Sequence, residues 1–231
     1  MEFYGPKYLE LSSKKGSSQG QENLIQQFKE IISRAETSFH EGMEEISVLV
    51  RESFRQFKEL LREYRENGLL IRFLLEETDL LQKVMGKDAL KDIFQDLYGQ
   101  DEAQPYRLAG ESYFESAFYS KATKVFSCAL EKDGADESLQ FKIFLSQGME
   151  QFYAFAPLQA LKSFEKCLSL ANKVEFLESY RTMIRKVCQK IQGEFPGRRK
   201  SDQHRDLVKR AQNLQRQMEK LPPSSSDIYP T

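Results

Sequence analysis

Apolar residues between Glu22 and Asn67 recur at helical intervals, and this stretch contains no proline. The twelve apolar positions follow one another every ~3.55 residues on average, between the coiled-coil and the straight-helix period. They are Ile25, Phe28, Ile32, Ala35, Phe39, Met43, Ile46, Val50, Phe54, Phe57, Leu61 and Tyr64. The pattern predicts one long amphipathic helix or, with a break near Gly42, a helical hairpin. Its apolar stripe packs against the same chain or against a second copy, which would form a homodimer.

Two shorter helices are predicted between Leu69 and Tyr98, separated by Gly86. The run from Leu69 to Leu75 is almost entirely apolar, so we expect it to be buried. The pair Asn67-Gly68 tolerates positive φ and is predicted to end the preceding helix. We therefore assign residues 21–100 to an N-terminal helical region. Residues 1–20 are rich in Ser, Gly and Lys and are predicted to form a flexible arm.

One spacing of small and aromatic residues occurs twice in the second half of the chain. The first copy is Tyr106-x2-Ala109-Gly110-x2-Tyr113, then Ala122-x3-Phe126 and Ala129. The second is Phe144-x2-Gln147-Gly148-x2-Gln151, then Ala160-x3-Phe164 and Cys167. Two antiparallel helices approach closely only where a side chain is small. We therefore expect Gly110 to lie against the Ala122 turn and Gly148 against Ala160.

This frame resembles the tetratricopeptide repeat, a helix-turn-helix unit of about 34 residues. Gln147 and Gln151 stand where the family has a large apolar residue and Tyr, and the closing Pro of the family is absent. The resemblance implies an all-α fold, with the N-terminal helix or hairpin followed by tetratricopeptide-like repeats over residues 101–192 and by a C-terminal helix. Stacked repeats form a concave surface, and surfaces of that kind bind other proteins.

The resemblance also implies which side chains meet a partner, because the first helix of each tetratricopeptide unit lines the concave face. The implied partner-binding residues are Arg107, Glu111 and Phe114 in the first unit and Lys142, Leu145, Met149, Phe152 and Tyr153 in the second. The apolar members of the second unit would form an adaptable trough for an extended peptide with hydrophobic anchors, and we expect them to face solvent in the free protein. Alternatively, the second-half helices cover these side chains and they meet no ligand.

A narrower resemblance covers Tyr106-x-Leu108-Ala109, Tyr113 and the segment Tyr119-x2-Ala122-x-Lys124-Val125-Phe126. These residues are similar to the first repeat of the translocator chaperones of bacterial type III secretion. Those chaperones are all-helical cytoplasmic proteins whose repeat groove holds a segment of a secreted client. The resemblance implies a cytoplasmic chaperone or adaptor that binds another protein. The alternative is a structural assembly component that self-associates through the Glu22–Asn67 stripe.

Charge is distributed unevenly although the formal net charge of the chain is only −1. Residues 181–220 contain 12 Lys and Arg against 4 Asp and Glu. We predict a basic loop and a polar C-terminal helix over residues 193–221, followed by a disordered tail over residues 222–231. The basic run has few aromatic neighbours, which disfavours nucleic acid as the partner. It favours an acidic protein or a solvated face.

Motifs of catalysis and metal binding are missing from the sequence. The histidines, His40 and His204, have no second ligand at metal spacing, and no phosphate-binding or nucleophile-elbow frame occurs. We therefore expect no catalytic residue, metal or cofactor, and a protein that is not an enzyme. Cys128 and Cys167 lie on the apolar helical frame and are expected to be buried free thiols. No apolar run reaches about 18 residues, which predicts no membrane span.

Overall fold

The computed structural model describes residues 61–171, 173–174, 178–193 and 202–221, together with residues 26, 29–30, 33 and 58–59. The regular elements in these ranges are all helical, which confirms the predicted all-α class. They are α1 (Gly68–Glu76), α2 (Thr78–Met85), α3 (Ala89–Tyr98), α4 (Gln104–Glu115), α5 (Tyr119–Asp133), α6 (Glu137–Tyr153), α7 (Pro157–Leu170), α8 (Glu178–Gly193) and α9 (Asp202–Glu219). The predicted arm, tail and most of the Glu22–Asn67 stripe lie outside the described residues.

The chain forms two compact units, Met1–Leu97 and Tyr98–Thr231. In the first unit, α1 begins where Asn67 caps it. The Asn67 side-chain oxygen accepts the backbone N–H groups of Leu69 and Leu70 at 3.0 and 3.3 Å. Asn67 has a φ of −84°. The predicted helix end near the pair Asn67-Gly68 is confirmed, since residues 61–63 are helical and residues 64–66 form a turn. The positive-φ mechanism is wrong, because Asn67 caps the start of the next helix instead.

Three helices follow Asn67 in the first unit, where the sequence predicted two. The additional break lies at Glu77, between α1 and α2, while Gly86 ends α2 with a φ of 103°. The predicted burial of the Leu69–Leu75 run is largely confirmed, since its buried members form part of the core of this unit, whereas Leu69 itself is exposed. The buried members are Leu70, Ile71, Phe73 and Leu74.

The second compact unit, Tyr98–Thr231, consists of consecutive helical hairpins. Helix α4 packs on α5, α5 on α6 and α6 on α7, and the final pair α8 and α9 packs together with α9 against α7. One apolar cluster runs through all of them, from Ala103 to Met218. Because each hairpin buries its apolar face mainly on its neighbours, the four helices α4–α7 form two stacked helix-turn-helix units.

The repeated glycines lie against the following helix, as predicted. A Cβ atom at Gly110 would come within 2.5 Å of Cδ1 of Phe126, and one at Gly148 would come within 2.7 Å of Cδ1 of Phe164. The expected neighbours Ala122 and Ala160 are fully buried, but the rings one turn later make the closest approach. Each helix-turn-helix unit therefore contains the same contact, in which an aromatic ring packs against the backbone of a glycine.

The turns inside the two units have the same backbone conformation. Ala117 and Phe155, which occupy equivalent positions, have φ values of 61° and 58°. In both turns the next N–H reaches back to the first helix, with Phe118 donating to the Tyr113 carbonyl at 2.8 Å and Ala156 to the Gln151 carbonyl at 2.9 Å. The two copies of the sequence spacing therefore have the same turn conformation and the same turn hydrogen bonds.

Gln151, which departs from the tetratricopeptide pattern, is accommodated by a polar partner. Its side-chain oxygen accepts a hydrogen bond from the Ser163 hydroxyl at 2.8 Å. Ser163 is buried on α7, and the first unit has Val125 at the equivalent position. The second unit thus replaces an apolar pair with a hydrogen-bonded pair, which avoids the cost of burying an unpaired polar group.

The cysteines differ from the sequence expectation at one position. Cys167 and Cys188 are buried free thiols, and burial raises the pKa of both, that of Cys188 to about 12. Cys128 is exposed, so its predicted burial is wrong. It lies on α5 beside the buried Ala129, one position off the face that packs into the core.

Candidate protein-binding surface

Arg107, the first of the implied partner-binding residues, is engaged within the chain. Its guanidinium pairs with Asp133 at the end of α5 and contacts Asp136 at 3.3 Å and Asp101 at 3.5 Å. Asp136 also caps α6, accepting the N–H groups of Ser138 and Leu139 at 2.7 and 3.2 Å. Arg107 therefore connects the two helix-turn-helix units, α4–α5 and α6–α7, at the α5–α6 connection.

Glu111 and Lys142 form an ion pair with each other across the two first helices. Because Glu111 lies on α4 and Lys142 on α6, the pair connects the two first helices at this point. Lys142 Nζ also lies 5.8 Å from the Phe126 ring centroid. Partial burial, followed by repulsion from Glu111, raises the pKa of Glu115 at the end of α4.

Leu145 and Met149 are part of the core. They are only 1% and 3% exposed and belong to the same apolar cluster as Ile184 and Val187 of α8. The expectation that they face solvent in the free protein is wrong. The physical reason is that both side chains belong to the apolar cluster that extends through the helices of this compact unit.

Tyr180 of α8 occupies the space between the two first helices. Its ring centroid lies 6.3 Å from that of Phe114 on α4, with the rings perpendicular, and 5.7 Å from that of Phe141 on α6. Phe114, an implied partner-binding residue, is consequently buried. An aromatic side chain of the protein itself therefore fills the surface where an apolar anchor of a partner was expected.

Phe152 and Tyr153 mark the open end of this surface. Phe152 is half-buried and Tyr153 is 51% exposed, and their ring centroids lie 5.5 Å apart. Tyr153 also stacks on Tyr119 at 5.8 Å with an interplanar angle of 8°. Burial, with a smaller contribution from Tyr153, raises the pKa of Tyr119 to about 12. Of the implied apolar positions, Tyr153 is thus the one that is clearly open to a partner.

A second apolar surface lies at the turns of the two helix-turn-helix units, and of its four residues the sequence analysis implied only Tyr153. We call it the turn edge and define it by the exposed side chains Phe118, Tyr153, Phe155 and Leu158. The Tyr119–Tyr153 stack joins the two turns at one end of the hairpins. A signal was present in the sequence, since Phe155 stands at a position where the first unit has Ala117.

We expect Phe155→Gly to stabilise the protein by about 1 kcal/mol, because a bulky residue at positive φ is strained and glycine is not. Phe155 is 93% exposed, so little packing is lost. Urea unfolding followed by far-UV circular dichroism measures the change. Ala117→Gly is the matched control, with the same φ relief and no ring removed, and should give a similar gain. A Phe155→Gly variant less stable than the parent would show that the ring packs on the fold.

The basic C-terminal helix is partly neutralised by its own surroundings. Arg210 pairs with Glu165 of α7 at 3.4 Å, and Arg205 contacts Asp202 at 3.9 Å. Arg181 at the start of α8 is buried and donates to the Leu221 carbonyl at 3.2 Å. The basic charge of α8 and α9 therefore has structural roles within the described residues, and the expectation against nucleic acid remains a prediction.

Searches against family models, curated proteins and solved structures find no significant match for this chain. Across the described ranges, no helix is long and apolar enough to cross a membrane. No group of three or more His, Cys, Asp or Glu side chains that could hold a metal ion occurs in that part of the chain either.

Proposed function

We propose that this protein is a non-enzymatic adaptor or chaperone that binds an extended apolar segment of another protein on a tetratricopeptide-like repeat domain. The segment lies along the first helices α4 and α6 and leaves the surface past Phe152 and Tyr153. A cytoplasmic chaperone of the type III secretion kind, serving a secreted client, is the specific form of this proposal that the sequence resemblance supports.

The contact of Tyr180 with Phe114 and Phe141 is the observation that carries the proposal. It supports binding because rings on both first helices already accept an aromatic side chain from a third element. Edge-to-face ring contacts of this type contribute about 0.5–1.5 kcal/mol beyond the burial of apolar area. A client with an aromatic or large aliphatic anchor would make the same contacts in place of Tyr180.

The test is purification of the tagged chain from its native cells, with identification of the bound protein. Phe152→Ser combined with Tyr153→Ser should abolish partner retention, because interface energy concentrates in a few apolar anchors worth about 2 kcal/mol or more each. Circular dichroism should show unchanged helix content. Tyr64→Ser is the control, because Tyr64 is an exposed aromatic residue of the first compact unit. This variant should retain the partner. A Phe152/Tyr153 variant that folds and keeps the partner refutes the proposal for this surface.

A further inference from the structure

We propose that the turn edge is a docking surface for an acidic segment of the partner protein that carries apolar anchors. This inference rests on the proposed function and adds a second contact surface at the end of the repeats. Of the six exposed large apolar side chains in the described residues, the four that define the turn edge are concentrated in two joined turns. Concentrated exposed apolar side chains of this kind mark interaction sites, whereas scattered ones do not.

Phe155 is the residue that the fold explains least. It is 93% exposed and has a φ of 58°. The equivalent residue of the first unit, Ala117, shows that the turn itself requires no ring. A ring that contributes little packing and sits in an unfavourable backbone conformation is consistent with a role outside the fold, as observed for strained residues at binding sites.

The charge of the turn edge specifies the chemistry of its partner. The first two turns of α5 and α7 carry Lys121, Lys124 and Lys162 and contain no Asp or Glu. Lys121 Nζ lies over the rings of Tyr113 and Phe118, 5.3 and 5.8 Å from their centroids. The acidic residues of this end are Glu115, the last residue of α4, and Glu150 in the last turn of α6. Lysines therefore outnumber carboxylates around the exposed rings.

The helix ends at the turn edge carry partial charges of both signs. Helices α5 and α7 begin there, after Phe118 and Ala156, while α4 and α6 end there, at Glu115 and Tyr153. Amino ends carry a partial positive charge and carboxyl ends a partial negative one, so the two kinds of end offset each other. The three lysines are therefore what favours a segment in which Asp or Glu flanks the apolar anchors.

A second copy of this chain is the less suitable occupant. A two-fold symmetric contact between identical turn edges would bring the same lysines face to face. Like charges placed opposite each other oppose association. An acidic segment of a different protein reverses the sign of that interaction, which is why we assign the surface to a heterologous partner.

The probe is a fluorescein-labelled peptide in which Glu and Asp flank two Phe residues, with a matched peptide that has Lys in place of the acids. Fluorescence anisotropy with the full chain should show binding of the acidic peptide, weakened by salt, and little binding of the basic one. Phe155→Gly should weaken binding about tenfold or more, as loss of an aromatic anchor does. Ala117→Gly, which changes the equivalent turn without removing a ring, should bind like the parent.

Other outcomes overturn the inference. Equal binding of the acidic and basic peptides, or parent-like binding by Phe155→Gly, removes the turn edge as an acidic docking site. Sedimentation with phosphatidylcholine–phosphatidylserine vesicles that depends on Phe155, without peptide binding, assigns the surface to a membrane instead. Because Tyr153 belongs to both surfaces, Phe152→Ser alone separates them: if Phe155→Gly retains the native partner while Phe152→Ser loses it, this inference fails and the proposed function stands. If both variants retain the partner, the proposed function fails as well.

Discussion

Phe164→Ala is expected to destabilise the repeat unit by about 3–5 kcal/mol, the range for removing a buried phenylalanine side chain. The ring is fully buried and lies on the backbone of Gly148. Glycine has no side chain with which to fill the space left behind, so we expect a cavity that collapses poorly. Phe126→Ala should behave alike in the first unit because its ring lies on Gly110 in the same way.

Urea unfolding monitored by far-UV circular dichroism measures this loss, with Leu158→Ala as the control. Leu158 is an exposed apolar residue on the same helix as Phe164. Its truncation should change the unfolding midpoint little. A loss of less than about 1 kcal/mol for Phe164→Ala would mean that the ring is not a principal contact of the core.

Gly148→Leu is expected to destabilise the protein by about 1–3 kcal/mol through overpacking. Helix propensity alone predicts a gain of about 1 kcal/mol, because glycine is a poor residue for a helix interior. The steric term prevails because even a Cβ atom would overlap the Phe164 ring. Gly110→Leu should have the same sign, since its Cβ atom would overlap Phe126.

A double-mutant cycle separates the steric term from other causes. Gly148→Ala should destabilise the parent but should be better tolerated together with Phe164→Leu, which shortens the opposing side chain. Gly193→Ala is the matched control, because a Cβ atom there meets nothing within 4 Å. If Gly148→Ala is neutral or stabilising, the close approach of the two helices is not a requirement of the repeat.

The helical class and the repeated units follow from the sequence because their cause is local. Spacing of Gly110, Ala122 and Phe126 determines how two neighbouring helices approach, and the same spacing at Gly148, Ala160 and Phe164 produces the same contact. Which residue of the second helix touches the glycine was not predicted, because that choice depends on the angle between the helices.

The binding surface was predicted less well because exposure depends on elements distant in sequence. Met149 lies on the predicted face of α6, yet it is buried in a cluster that includes residues of α8. The family pattern describes neighbouring helices and gives no information on a later one that returns over them. Phe155 was missed for the opposite reason, since its exposure comes from a turn conformation that helical periodicity does not encode.

The hydrogen bond from Arg181 to the Leu221 carbonyl has a consequence for the order of folding. Contacts between neighbouring hairpins close short loops and form early, whereas contacts between distant residues pay a larger loop-closure entropy and form late. This bond joins the start of α8 to a residue 40 positions later, just after α9. During synthesis it can therefore form only after Leu221 has left the ribosome, later than the contacts between neighbouring hairpins.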